Sequence, residues 1–432
     1  MTYRRFLLFC IFAIPFVPQG VGLSLGSNYP ILDLPRILLA CLLISWFLKK
    51  AVSGEPLITL KWNSVTKLFV LLIIIQFLSI FVSHNYPLSF FMWLGYLINY
   101  FGIFFILQDE IKKPSDWKKI VNIIVLLTVC LAAISCLEFV LNQGIYDNVR
   151  NIWAADQTSN FEADRGRIIG MNSSMGPFAS TQPLGFFYAA TFFLVLNAFL
   201  SEKVIPLKLL KLTAVLITIF GVFATQVRGA ILAIAFTFIL SLIRKKSFDH
   251  YLKYIFLISV ILIVAASVLF YVAPPRFFQF TFVESVSKTT SNESTLYKRI
   301  DGLRLTMQDL TKKPLLGYGV GAVPKHSSGI SNFSLKSDLP LPIAFWIESG
   351  ILAFMFYSLM IINIVLLLYK RYKKEHDTQK KELLYYLAMS IIAFSIATLS
   401  APSLESSFIF FVILAVANGL IINEKNKKVS LF

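Results

Sequence analysis

The chain has 432 residues, of which 57% are hydrophobic and 15% charged, with a mean hydropathy of +0.72 and a formal net charge of +17. So apolar a composition excludes a soluble globular domain and requires a polytopic membrane protein. The positive charge follows from membrane topology and calls for no nucleic-acid partner. All four cysteines (Cys10, Cys41, Cys130, Cys136) fall inside apolar runs, which excludes a disulfide framework.

In chain order, runs able to cross a bilayer lie at 4–20, 30–48, 65–83, 88–107, 119–142, 177–200, 207–225, 229–243, 252–273, 342–369, 383–399 and 404–422. At about 20 residues per span they predict about twelve transmembrane helices in one polytopic domain, 1–432. Basic clusters occupy alternate connections: Arg4-Arg5, Lys49-Lys50 with Lys61, Lys112-Lys113 with Lys118-Lys119, Lys203 to Lys211, Arg244-Lys245-Lys246, Lys370-Arg371 with Lys373-Lys374, and Lys425 to Lys428. The positive-inside rule then puts both termini in the cytoplasm. Arg4-Arg5 before a short apolar run and Pro18-Gln19-Gly20 also fits a signal peptide; without a small-residue cleavage site, a retained first span is expected.

The outer side holds a first loop at 143–176 and a large loop at 274–341, the second too long for an incidental connection. Of the twelve arginines, eight (Arg36, Arg150, Arg165, Arg167, Arg228, Arg276, Arg299, Arg304) fall on this side, whereas the lysines crowd the other. Lysine suffices for orientation, but a bidentate fork recognises phosphate, so the sorting predicts an outer-face site for a phosphorylated ligand.

Between Leu212 and Ile243 the chain is apolar except for Arg228 and must form a hairpin whose tip is Thr225 to Gly229. Arms of about 16 residues, roughly 24 Å, are shorter than the roughly 30 Å hydrocarbon core, which recesses the tip. An intramembrane arginine is a functional candidate, with snorkelling to the headgroups as the bland alternative. Asp33, Arg36, Glu138, Glu348 and Glu405 also lie in the outer thirds of their spans. That bias favours a cavity open to the outer leaflet over the midplane site of a transporter.

The first outer loop carries Arg165-Gly166-Arg167, able to offer two forks to one anion, or simply solvating a loop beside Glu162 and Asp164. With no Asp-x-Asp and scattered histidines, neither a metal nor another cofactor is expected. In the large loop, caps at Ser291 to Thr295 and the spacing of Leu296, Ile300, Leu303, Met307 and Leu310 predict an amphipathic helix at 294–311. Arg299 and Arg304 lie about 140° apart on it, on opposite flanks. Gly317-Tyr318-Gly319-Val320-Gly321 reads as a tight structural loop rather than a phosphate cradle. Beyond it come His326, Asp338 and Glu348, the last roughly 10 Å below the outer end of its span, where it could pair with an arginine or act as a base.

These elements together resemble the O-antigen polymerase and O-antigen ligase family. The resemblance rests on Arg167 with Gly176-x-Phe178 and Pro183-x-Gly185; Arg228-Gly229 after a short span; Arg299 fifteen residues before Pro314-Leu315-Leu316-Gly317-Tyr318-Gly319; and Glu348-x-Gly350. It implies an all-α, GT-C-like protein of the bacterial cytoplasmic (inner) membrane with its active site facing the periplasm. The implied activity is polymerisation of lipid-linked repeat units, with undecaprenyl-diphosphate-linked oligosaccharide as donor and acceptor, the bilayer as surroundings and a chain-length regulator as a further partner. Arg228, Arg167 and Arg299, backed by Arg165 and Arg304, are expected to hold the diphosphate, and Glu348, Asp338 or His326 to accept the proton. The histidine of the family's ligases projects onto Leu339 and is absent, which favours polymerase over ligase. An exporter of lipid-linked sugars is the reading from outside enzymology.

Overall fold

Backbone surrounded by apolar side chains must satisfy its own N–H and C=O groups, and uninterrupted runs of Leu, Ile, Phe and Val do so as helices. The computed structural model describes residues 3–18, 22–23, 32–54, 56, 62–110, 114–147, 149, 167–168, 171–178, 180–244, 310, 312–322, 340–400 and 407–422. Its helices are α1 (Tyr3–Ala13), α2 (Leu34–Ser53), α3 (Ser64–Ser79), α4 (Tyr86–Glu110), α5 (Pro114–Leu141), α6 (Thr181–Leu200), α7 (Ile205–Thr225), α8 (Arg228–Arg244), α9 (Leu341–Lys374), α10 (Thr378–Ala397) and α11 (Ser407–Ile422). Two minimal antiparallel pairs accompany them: Gly22–Leu23 with Leu32–Asp33, and Arg167–Ile168 with Met171–Asn172.

The architecture is all-α. Among the described residues six helices, α3 to α7 and α9, are long and apolar enough to cross a membrane; α8 and α11 are shorter apolar helices. α6 and α11 are buried on nearly every side, as befits helices that are apolar all round. Phe69 of α3, Phe101 and Phe104 of α4 and Phe411 of α11 pack edge-on or tilted in one cluster at centroid distances of 4.5 to 5.6 Å. Leu209, Leu216, Phe220 and Phe223 of α7 and Leu71, Ile74 and Leu78 of α3 are exposed, an apolar surface suited to lipid.

Charge sorts the two ends of the bundle. Arg4 pairs with Asp116, Lys49 with Glu110 and Lys118 with Gln379, while buried Lys50 meets Asp109 at 2.8 Å, all where α1, α5 and α10 begin and α2 and α4 finish. The turn between α6 and α7 belongs to the same end. There the Lys211 ammonium and the Val204 and Lys203 N–H groups hold the Glu202 carboxyl at about 2.

Several expected boundaries move. The span expected at 4–20 is an 11-residue helix followed by a 3-10 turn, because Pro15 and Pro18 cannot continue it. The first arm of the hairpin has 21 residues instead of about 16, since Pro206 starts the helix early and carries Lys208 and Lys211 within it. The expected span at 252–273 and, apart from Leu310, the amphipathic helix at 294–311 lie outside the described residues.

The largest departure is α9, which is broken at Gly350 (φ 80°, ψ 177°). In a straight helix Phe345 and Tyr357 would be about 18 Å apart. Their ring centroids are 4.8 Å apart, so the short limb Leu341 to Ser349 folds sharply against the long one. Glu348 therefore lies on the short limb, off the axis of the long one.

A Cβ at Gly350 would collide with the carbonyl of Leu315, at a φ few L-residues adopt. Gly350→Ala should cost about 3 kcal/mol or more. By contrast, Gly95→Ala, with nothing within 4 Å of its added methyl, should be neutral or stabilising by up to about 1 kcal/mol. Thermal unfolding in detergent checks the pair; equal melting temperatures would contradict the packing described.

Candidate functional site

Away from the lysine clusters, three junctions join segments that are distant in sequence. The first is the hairpin tip. Gln226 turns the chain in the left-handed region (φ 57°), Val227 O accepts from Ala230 N at 3.1 Å, and α8 starts at Arg228. A Cβ on Gly185 would come within 2.8 Å of Val227 Cβ, and one on Gly229 would strike Ser400 Oγ. The tip is thus seated between the start of α6 and the end of α10, where only glycine leaves room. That is why Pro183-x-Gly185 and Arg228-Gly229 belong together.

Arg228 itself is exposed, with no hydrogen-bond or ion-pair partner among the described residues. It stands on the first turn of α8, where unpaired backbone N–H groups and the helix dipole add positive potential.

The second junction is built on Glu138, 1% exposed near the end of α5. Its Oε2 accepts from Ser174 Oγ at 2.7 Å, Met175 N at 3.2 Å and Gly176 N at 2.9 Å, and its Oε1 from Ile145 N at 3.0 Å. Ser174 N in turn donates to Ala224 O at 2.8 Å, tying the clamp to the end of α7. Asn142 Oδ1 accepts from Asn172 N at 2.6 Å, and Asn172 is the register partner of Arg167. The backbone of Arg167 is thereby held at the same end of the bundle as Arg228.

The third junction fills the break in α9. Tyr318 N donates to Ile347 O at 2.8 Å, Gly319 N to Glu348 O at 2.9 Å, and Ile351 N to Pro314 O at 2.8 Å. Cβ atoms on Gly317 or Gly319 would collide with Ile347 O or with Ser83. The glycine-rich run is the tight structural loop expected, and the family-like motifs Pro314 to Gly319 and Glu348-x-Gly350 are two halves of one contact. Lys313 Nζ donates to Val82 O at 3.3 Å, and Ser79 Oγ lies 3.2 Å from Ser349 Oγ, pinning the break to α3.

Glu348 is 4% exposed; its Oε1 accepts from Gly321 N at 3.1 Å and from Tyr96 OH at 3.5 Å. Tyr96 immediately precedes a π-helical turn, Leu97–Phe101, in α4. Arg36 stays beside Asp33, which caps α2 through the Arg36 N–H at 3.0 Å.

Of the residues singled out from sequence, Arg228, Glu348 and the backbone of Arg167 are described; Arg165, Arg299, Arg304, His326 and Asp338 lie outside the described residues. Sequence reasoning missed Tyr96, an uncharged residue in an aromatic run, and the clamp role of Glu138. The small residues Ser173-Ser174 and Gly176 just before a span were the available signal for that clamp.

No protein-family model matches this chain, and no curated protein matches it.

Glu138→Gln turns an amide against backbone donors and should cost about 3 kcal/mol. Arg228→Ala, at an exposed position, should stay within about 0.5 kcal/mol of the parent. Melting curves in one detergent test both; a destabilising Arg228→Ala would mean the arginine holds the fold.

Proposed function

We propose that the protein is a metal-independent, inverting membrane glycosyltransferase that polymerises lipid-linked oligosaccharide repeats of O-antigen or a related surface polysaccharide. It would move the growing glycan from a polyprenyl diphosphate in the outer leaflet to a hydroxyl of a second lipid-linked repeat. The observation that carries this reading is Arg228: an exposed fork on a helix N-terminus, without a partner among the described residues, at the end away from the lysine clusters.

In the transfer, the bond from the anomeric carbon to the diphosphate oxygen breaks with its electron pair, and a bond to the acceptor oxygen forms. The leaving diphosphate gains charge, which a guanidinium fork and helix N–H groups stabilise. Arg167, with its backbone held at the same end, is the second candidate, and Arg299, Arg165 and Arg304 complete the expected set. The acceptor's proton passes to a nearby base, for which Asp338 and His326 are the candidates, since Glu348 Oε1 accepts from Gly321 N and Tyr96 OH. A twelve-span, GT-C-like arrangement with cytoplasmic termini and a periplasmic site belongs to the same proposal.

One observation weighs against the exporter reading. Transporters use the exposed backbone of a broken helix for their cargo or coupling ion. Here the groups at the Gly350 break bond to Pro314, Tyr318 and Gly319 of the same chain.

Arg228→Lys keeps the charge and loses the fork. Cells carrying it should make polymer about a hundredfold more slowly at normal protein abundance, the effect of removing one oxyanion donor. An unchanged chain-length distribution would remove Arg228 from the site.

A further inference from the structure

Three carboxylates described at the end away from the lysine clusters share one habit. Asp33 accepts the N–H of Arg36, Glu138 those of Ile145, Met175 and Gly176, and Glu348 that of Gly321. Charged acceptors make the stronger class of hydrogen bond, and in apolar surroundings the alternative for such an N–H is no partner at all. Glu138 sets the pattern: a buried carboxylate near a helix end seizes a returning segment by its backbone. Glu348 repeats it across the break of α9.

We propose that Glu348 and Tyr96 are positioning residues that latch the glycine-rich segment from Pro314 to Gly321 into the break of α9, and that Glu348 serves the transfer through this segment instead of accepting the proton. The catalytic part of this inference rests on the polymerase reading above.

The geometry supports it at three points. The Glu348 backbone carbonyl and its side-chain Oε1 bind Gly319 and Gly321 of the same segment, so the residue grips it twice, at 2.9 and 3.1 Å. Tyr96 OH approaches the same Oε1, which ties the latch to α4 next to its π-helical turn, a local geometry frequent at functional sites. Gly321 and Leu341, each one residue inside the described residues that flank the stretch 323–339, are both held: Gly321 by Glu348, and Leu341 N by Thr398 O at 3.0 Å. A change at Glu348 therefore shifts one anchor of the stretch that carries His326 and Asp338 in sequence.

The test uses the full chain in lipid nanodiscs with a purified polyprenyl-diphosphate-linked repeat as donor and acceptor. Hydrogen exchange of the peptide spanning 314–322 is read alongside polymer formation. Glu348→Gln keeps an oxygen acceptor and removes the base; it should leave the amides protected and polymerisation within a few-fold of the parent. Glu348→Ala should expose those amides and abolish polymer, and Tyr96→Phe, which preserves the ring, should give a partial version of both.

Two results would overturn the proposal. One is a Glu348→Gln protein whose protection is intact but whose rate falls by about 10²- to 10⁴-fold, the signature of a lost general base. The other is unchanged protection in Tyr96→Phe and Glu348→Ala. Should the parent protein form no polymer, the polymerase reading falls and takes the catalytic part with it. The exchange pattern still decides separately whether the latch exists.

Discussion

Every N–H and C=O group that enters an apolar bundle must find a partner inside the protein, and the arrangement of this chain depends on how it meets that demand where helices stop. Helix interiors meet it automatically. The tip after α7, the entry to α6 and the break at Gly350 do not, and each is completed by a segment from elsewhere in the chain. Glycine is what lets those segments approach, at Gly185 and Gly229 around the tip and at Gly317, Gly319 and Gly350 around the break. Buried carboxylates supply the remaining acceptors, Glu138 for Ser174 to Gly176 and Glu348 for Gly321.

This division of labour bears on the chemistry. Glu348, a candidate base on the sequence, holds backbone, as Glu138 does. Lysines and Arg4 at the other end are matched by Asp109, Glu110 and Asp116. Arg228 stands apart, exposed at the start of α8, whose first turn is seated between α6 and α10. A fork presented in that way suits a reaction whose main requirement is to receive negative charge from a departing diphosphate.

Much of the fold was legible because apolar length and charged flanks determine helices directly: α3 to α7 fall where the hydropathy runs put them. The break in α9 was not, since a lone glycine in a helical pattern is ordinarily tolerated and nothing near Gly350 announces a φ of 80°. The pairing of motifs was equally hidden. Pro183-x-Gly185 and Arg228-Gly229 lie more than 40 residues apart, and a glycine has no side chain to signal what presses against it. Arg228 could be read because a charge in an apolar run needs an explanation. Tyr96 could not, because an aromatic residue among Trp93, Leu94 and Tyr100 looks like core until its hydroxyl is seen facing Glu348.

The central claim is that glycan transfer here releases a polyprenyl diphosphate. The most direct measurement is to incubate the purified protein, in a bilayer and with chelator present, with a single lipid-linked repeat unit, and to count liberated polyprenyl diphosphate against glycosidic bonds formed. One diphosphate per new bond, with products growing by whole repeats, is the predicted result. Lipid-linked units that change leaflet without lengthening and without releasing diphosphate would contradict the account.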